Sequence, residues 1–199
     1  ARGNYIALCE GDDYWTDPLK LQKQVDFLEA NADYSICFHP VKIAVHNSGK
    51  FTNDVSKINI PKHTSIKDLA QLGNYIHTAS TVFRNPDILP AYLKELTIGD
   101  YPLHLHSALA GNIYRLEDVM AVYRVHPNGI WSSTSQATKH LMALEYIKDI
   151  IKHNEYSPEL VNDFNYQQAG HHLALLKYYL KETNQQSAAY HLQQSLSLN

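Results

Sequence analysis

The chain has 199 residues, a formal net charge of -3 and charged residues at 19%, so it lacks the basic field that sequence-independent binding to nucleic acid or anionic lipid requires. Apolar residues at 44% place it among globular proteins and exclude a disordered chain. No apolar run approaches the roughly 20 residues of a membrane-spanning helix, and nothing resembles a signal peptide. The two cysteines, Cys9 and Cys37, each sit in an apolar run, which predicts two buried, reduced thiols and a cytoplasmic setting, at most peripheral at the inner membrane face.

The first element in chain order is "YIALC", residues 5 to 9, too short for a helix and read as a buried strand ended by Gly11. Asp17-Pro18 then predicts a helix starting at Pro18, because proline suits the first helical position and aspartate caps the free amides before it. Leu21, Val25 and Leu28 would form its buried face. "DYSICFHPV", 33 to 41, reads as a second strand, and 42 to 66, with Gly49 and Pro61, as a ribbon or loop. A short helix over 65 to 73 would be capped by Ser65 and stopped by Gly73, and "HTASTVFR", 77 to 84, is rich enough in Thr and Val for a third strand. Residues 87 to 96 read as helical. "DYPLHLHSALAGN", 100 to 112, repeats the acid-then-proline helix start, and 112 to 126 reads as one or two strands.

Alternating strands and helices predict an α/β domain with a mixed sheet over 1 to 135. From 136 to 199 apolar residues recur at three and four spacing, which predicts an all-helical extension. Its pair from Phe164 to Leu198 resembles one helix hairpin of the tetratricopeptide type, but one unit is not an array. His171 and His172 there have no partner pattern. His104 and His106 have an alternating, zinc-like spacing, yet a helix would turn them to different faces, which favours packing or surface roles.

The chemistry-bearing stretch is "CEGDDYW". Glu10, Asp12 and Asp13 follow a strand, where ligands gather at the carboxyl ends of an open α/β sheet. Clustered carboxylates suit a hard cation such as Mg²⁺ or Mn²⁺, which takes one or two carboxylates and completes its shell with water and phosphate oxygens. A solvated acidic turn is the alternative on composition alone. A helix-loop-helix calcium loop fails, since counting from Glu10 its sixth and twelfth positions hold Trp15 and Leu21. Asp100 reads either as a helix cap or as a base.

Several stretches together, "GNYIALCEGDDYWTDPLKLQKQVDFLEANADYSICFHP", "HTASTVFRN" and "GDYPLHLHSALAGNIYRLEDVMAVYRVHPNGIWSS", resemble the metal and acceptor half of bacterial, inverting family 2 glycosyltransferases of the GT-A fold, over roughly residues 1 to 133. The resemblance implies that Asp13 and Asp12 bind a Mn²⁺ or Mg²⁺ ion and the nucleotide-diphospho-sugar donor. It further implies that Asp100 is the catalytic base, that His126 reaches the metal or diphosphate, and that Trp131 covers the donor. Thr78, Ser80 and Arg84 would lie near a glycan or lipid-linked acceptor. Glu10 stands where many relatives have aspartate. The family's nucleotide-binding strands precede this segment, so the resemblance also implies that the isolated chain is inactive, that exposed sheet edges could pair two copies, and that the activity serves surface polysaccharide synthesis. A non-catalytic interaction module, binding a partner through residues 137 to 199, is the other reading.

Overall fold

The computed structural model describes residues 2–46, 49–53, 60–86, 88–94, 99–129, 131 and 133–198. The chain divides into two compact units, Ala1–Leu69 with Asn74–Ser132, and Ala70–Gly73 with Ser133–Asn199. It is a mixed α/β protein with two mixed sheets and a set of C-terminal helices.

In the first unit a five-stranded sheet runs β1 (Tyr5–Ala7), β7 (Val82–Arg84), β3 (Tyr34–Phe38), β8 (Asn112–Arg115), β6 (His63–Thr64). Only β3 and β8 pair in parallel; the other ladders are antiparallel. A four-stranded sheet runs β2 (Tyr14–Trp15), β9 (Ala121–Val125), β4 (Lys42–Val45), β5 (Phe51–Asn53), with β4 and β9 parallel. The residues read as a ribbon or loop thus supply β4 and β5, which form an antiparallel pair. Leu28, Cys37 and Val82 form one cluster of the core, where helix meets strand. At Gly111 an added Cβ would stand 2.9 Å from the carbonyl oxygen of Asp33, so only glycine permits the close approach by which Asn112 N–H reaches that oxygen at 2.8 Å.

Several expectations need correction. Helix α1 is Lys20–Ala30, two residues later than Pro18, because Asp17 accepts the Leu19 N–H at 2.7 Å and closes a turn ahead of the helix. Its fully buried residues are Lys20, Gln24 and Leu28; Val25 packs half-buried against the same core as expected, whereas Leu21 is 39% exposed. Partners explain the two buried polar residues. Gln24 donates to the carbonyls of Cys37 and Ser80, and Lys20 donates to Gln24 while lying over the Trp15 ring, 4.6 Å from its centroid. Burial lowers Lys20 to about 8. Cys37 is buried as expected, but Cys9 is exposed.

Asp68 Oδ2 accepts both the backbone N–H and the hydroxyl of Ser65 at the start of α2 (Ile66–Leu72), and Gly73 ends it at φ +81. The expected strand 77 to 84 is half turn: Thr78–Ser80 is a 3₁₀ turn closed by Ser80 on the His77 carbonyl, and β7 follows. The expected helix 87 to 96 is a 3₁₀ turn, Ala91–Lys94, started at Pro90; residues 87 and 95–96 lie outside the described residues. Helix α3 is Asp100–Ala108, shorter than 100 to 112.

In the second unit α4 (Gln136–His153), α5 (Pro158–Lys181) and α6 (Gln185–Ser197) are each capped, by Ser135, Ser157 and Asn184. Helices α5 and α6 run antiparallel, with Ser195 on the Ala169 carbonyl and His191 against His172. The two histidines that showed no pattern in sequence each have a histidine partner. His171 meets His140 of α4, Nδ1 to Nδ1, at 2.9 Å, and His172 meets His191 of α6 in the same way at 2.8 Å. Each contact needs one nitrogen protonated and the other bare. Burial, then neighbouring His140 and His172, lowers His171 to about 4; burial, then His191 and Lys148, lowers His172 to about 4.

The unfolded chain therefore binds protons that the folded unit refuses between the ordinary histidine value and about 4. Stability is full above about pH 6.5 and falls on acidification through that window, by at most about 1.4 kcal/mol per pH unit for one fully protected imidazole. A Tm measured from pH 7.5 to 4.5 should drop on the acid side, and His171→Gln should flatten that drop.

Candidate active site

The acids are placed by the chain's path between the two sheets. Strand β1 ends at Ala7, the segment turns back with Asp13 N–H on the Glu10 carbonyl at 3.1 Å, and β2 then pairs with β9 through Tyr14 and Val122. This delivers Asp13 onto β9, where its Oδ1 accepts the Arg124 backbone N–H at 2.9 Å. Asp13 is 9% exposed, and its Oδ2 is buried without a hydrogen-bond partner. Burial, then the Asp12 charge, raises Asp13 above the usual aspartate value, against the lowering effect of the Arg124 N–H.

Asp12 is engaged differently. Its Oδ2 lies 2.8 Å from Nε2 of His126, and that hydrogen bond is the main reason that its carboxyl lies below the usual range. Glu10 is raised, first by desolvation and then by Asp13, Asp100 and Asp12. Tyr123 is raised by burial and then by Asp13, Glu10, Asp12 and Asp100 in that order. The acids of the "EGDD" stretch and Asp100, 87 residues on from Asp13 (100 minus 13), therefore bear on one phenol. His77 packs tilted against that ring at 4.9 Å between centroids and acts favourably on Glu10 and Asp13.

Asp100 opens α3. Its Oδ1 accepts the Tyr101 N–H and its Oδ2 accepts Nδ2 of Asn74, both at 2.8 Å. Beside Asp12 a cavity of about 320 Å³ is lined by Ala44, His46, Arg124, His126 and Asn128 among others. Arg124 stacks on Tyr14, with its guanidinium carbon 5.0 Å from the ring centroid. The second unit holds a cavity of about 350 Å³ whose lining includes Gln71, His140, Tyr166, Gln167 and His171, and none of the acids.

Among the described residues no three His, Cys, Asp or Glu side chains converge as a ready metal cage. A cation here would rely on Asp13 and Asp12 and on ligand or water oxygens for the rest of its shell, the mode favoured by Mg²⁺. The bare, buried Oδ2 of Asp13 suits that donor set: hard, anionic and lacking any other partner.

Of the other sequence candidates, Ser80 is fully buried with its hydroxyl on the His77 carbonyl. Thr78 shares that turn, which Trp15 Nε1 joins to β2 through the Ala79 carbonyl. Trp131 follows β9 and is 43% exposed. Arg84 is not brought to the acids. Register pairs it with Tyr5, at the start of β1, whereas the acids follow the end of that strand. Its guanidinium binds the Leu28, Asn31 and Tyr34 carbonyls at the end of α1. Arg84→Met should therefore cost about 2 kcal/mol in denaturant unfolding, the scale of charged hydrogen bonds, and leave ligand binding unchanged.

Sequence reasoning missed His77, Tyr123 and Asn74. His77 and Tyr123 stand inside stretches already singled out, "HTASTVFR" and "VYRVH", but an aromatic in a strand-like run gives no sign of facing acids from elsewhere.

No family model matches the chain. Over 136 residues it is 42% identical to an uncharacterized protein of Mycobacterium tuberculosis (strain ATCC 25618 / H37Rv) and to one of Mycobacterium bovis (strain ATCC BAA-935 / AF2122/97). That alignment covers 67% of this chain and 38% of each relative, so the chain spans well under half the length of the curated proteins that it matches.

Proposed function

We propose that this chain is the metal and acceptor half of a GT-A glycosyltransferase that moves a sugar, with inversion, from a nucleotide-diphospho-sugar to an acceptor hydroxyl. The observation that carries the reading is the buried, bare Oδ2 of Asp13, held against β9 next to Asp12 and its His126 partner, in a site where Asp13, Glu10, Asp12 and Asp100 all act electrostatically on Tyr123. In this reading Asp100 takes the acceptor's proton, the freed oxygen bonds to the anomeric carbon, and the carbon–phosphate-oxygen bond breaks with its electrons leaving on the nucleoside diphosphate. A bound Mn²⁺ or Mg²⁺ supplies positive charge for that departure. Asp13 and Asp12 would hold it, with His126 hydrogen-bonded to Asp12 beside them. Arg124 and His46 line the cavity beside Asp12 and suit the donor's phosphates. Trp131 would cover the donor, and Thr78 would border a glycan or lipid-linked acceptor in surface polysaccharide synthesis; Ser80, fully buried with its hydroxyl on the His77 carbonyl, would only hold that turn.

Strand β1 pairs only with β7 among the described residues, and that edge is where further strands or a second copy would add. The test is Mn²⁺-dependent binding of a panel of nucleotide sugars to the full-length protein. Failure of every member to bind, with and without the ion, would end this reading.

One observation favours the interaction module instead: Tyr166, Leu173 and Leu180 recur every seven residues on α5 and are 64%, 42% and 58% exposed. That reading gains if the panel fails and a partner is lost with Leu173→Asp.

A further inference from the structure

His104 sits one helical turn beyond Asp100 on α3, with none of its surface exposed. Its Nδ1 lies 3.1 Å from Oδ1 of Asn74, and Nδ2 of the same amide reaches Oδ2 of Asp100 at 2.8 Å. A third partner fixes which way the amide points. The backbone N–H of Ile76 can only donate, and it approaches Oδ1 of Asn74 at 3.3 Å. Oxygen therefore faces Ile76 and His104, and nitrogen faces Asp100. Two consequences follow: Asp100 must accept, which an ionised carboxylate does, and His104 must carry its proton on Nδ1.

The rest of the ring agrees. Nε2 of His104 is buried with no hydrogen-bond partner, the state of the bare nitrogen in that tautomer. Burial also lowers His104 to about 4, so the ring is neutral near pH 7 and its single proton is committed to Asn74. Packing alone does not account for a histidine here, because an apolar side chain would fill the same space without an unpaired nitrogen.

We propose that Asn74 and His104 are positioning residues: the buried imidazole orients the Asn74 amide, which holds the Asp100 carboxylate aimed for proton abstraction. The inference rests on the transferase reading above, in which Asp100 is the base. With Tyr101 N–H on one oxygen and Asn74 on the other, Asp100 is held at both ends. The acceptor's O–H proton passes to the remaining lone pair, and no proton need move along the Asn74–His104 chain.

The experiment uses the full-length protein, Mn²⁺ and a nucleotide sugar that it turns over. Asn74→Asp keeps the shape but sets a like charge beside Asp100, and should move the acid limb of the kcat/KM profile up by about one pH unit or more. His104→Phe should lower kcat about tenfold with donor Kd within about twofold, and His104→Asn, whose amide nitrogen replaces the Nδ1 donor, should recover most of the loss. Asp100→Asn separates the levels. If it abolishes transfer while Asn74→Asp and His104→Phe leave both kcat and the acid limb unmoved, the positioning role is wrong and the base stands. If Asp100→Asn transfers as well as the parent, the base assignment fails and this inference with it. Histidine ¹⁵N NMR gives a readout free of activity: His104 should be protonated on Nδ1, and finding the proton on Nε2 overturns the proposal.

Discussion

Replacing Asp13 by asparagine is expected to raise the thermal stability of the protein and, on the transferase reading proposed above, to lower metal-dependent sugar transfer by the full-length protein about a thousandfold, the scale of losing one preorganised electrostatic contact or more. The two halves of that outcome have one cause. Asp13 is buried at the acid cluster, its charge is disfavoured there, and its carboxyl is raised above the usual range. For an acid raised on folding, the unfolded chain ionises first, so stability falls as pH climbs from the unfolded value through the folded one. At pH 7 the parent carries that cost, and Asp13→Asn does not.

The amide keeps an oxygen for the Arg124 N–H and places a nitrogen where the bare Oδ2 stood, which a cation cannot use. Thermal shift separates the cases. With donor and Mn²⁺ at a hundredfold over Kd, a native state that binds them gains about 2.7 kcal/mol, and Asp13→Asn should gain almost none. A variant that shifts as the parent does, or that is simply less stable, would show Asp13 to be a structural acid.

How much of this was legible in the sequence depends on the distance over which each residue finds its partners. The mixed α/β character, the strand before the acids and the helical C-terminal portion came from local pattern, and local pattern was enough. The buried face of α1 was read only in part, with Val25 and Leu28 on the core but Leu21 exposed, because hydrophobic spacing ranks Leu21 above Lys20 and Gln24. Gln24 is inside only because carbonyls 13 and 56 residues away accept its amide. Such partners leave no periodicity. The same holds for the His171–His140 and His172–His191 pairs, where a dipeptide with no partner pattern in the sequence is divided between two neighbouring helices. At the site, motif order indicated Asp12, Asp13 and Asp100. Arg84, chosen from the same motifs, instead closes the end of α1, a role that only the strand register reveals.

Asp100→Asn should cut transfer by a factor of about 10³ to 10⁴, at the upper end of what a general base contributes, while donor and Mn²⁺ bind as in the parent. Its position makes the test clean. Asp100 is the first residue of α3, after Gly99 at the cap, and the asparagine oxygen can still accept from Asn74 or from the Tyr101 N–H. Loss of one such hydrogen bond costs about 1 kcal/mol, far below the kinetic effect. A cap and a base therefore predict different instruments: a cap shows in Tm alone, a base shows in kcat with Kd unmoved. Asp13→Asn and Asp100→Asn should then divide the reaction between them, the first failing to bind donor with its ion and the second binding both but failing to turn over. If Asp100→Asn lost donor affinity and kept kcat, Asp100 would belong to the binding surface, and Glu10, whose carboxyl is raised by burial and then by Asp13 and Asp100, would be the next acid to test as the base.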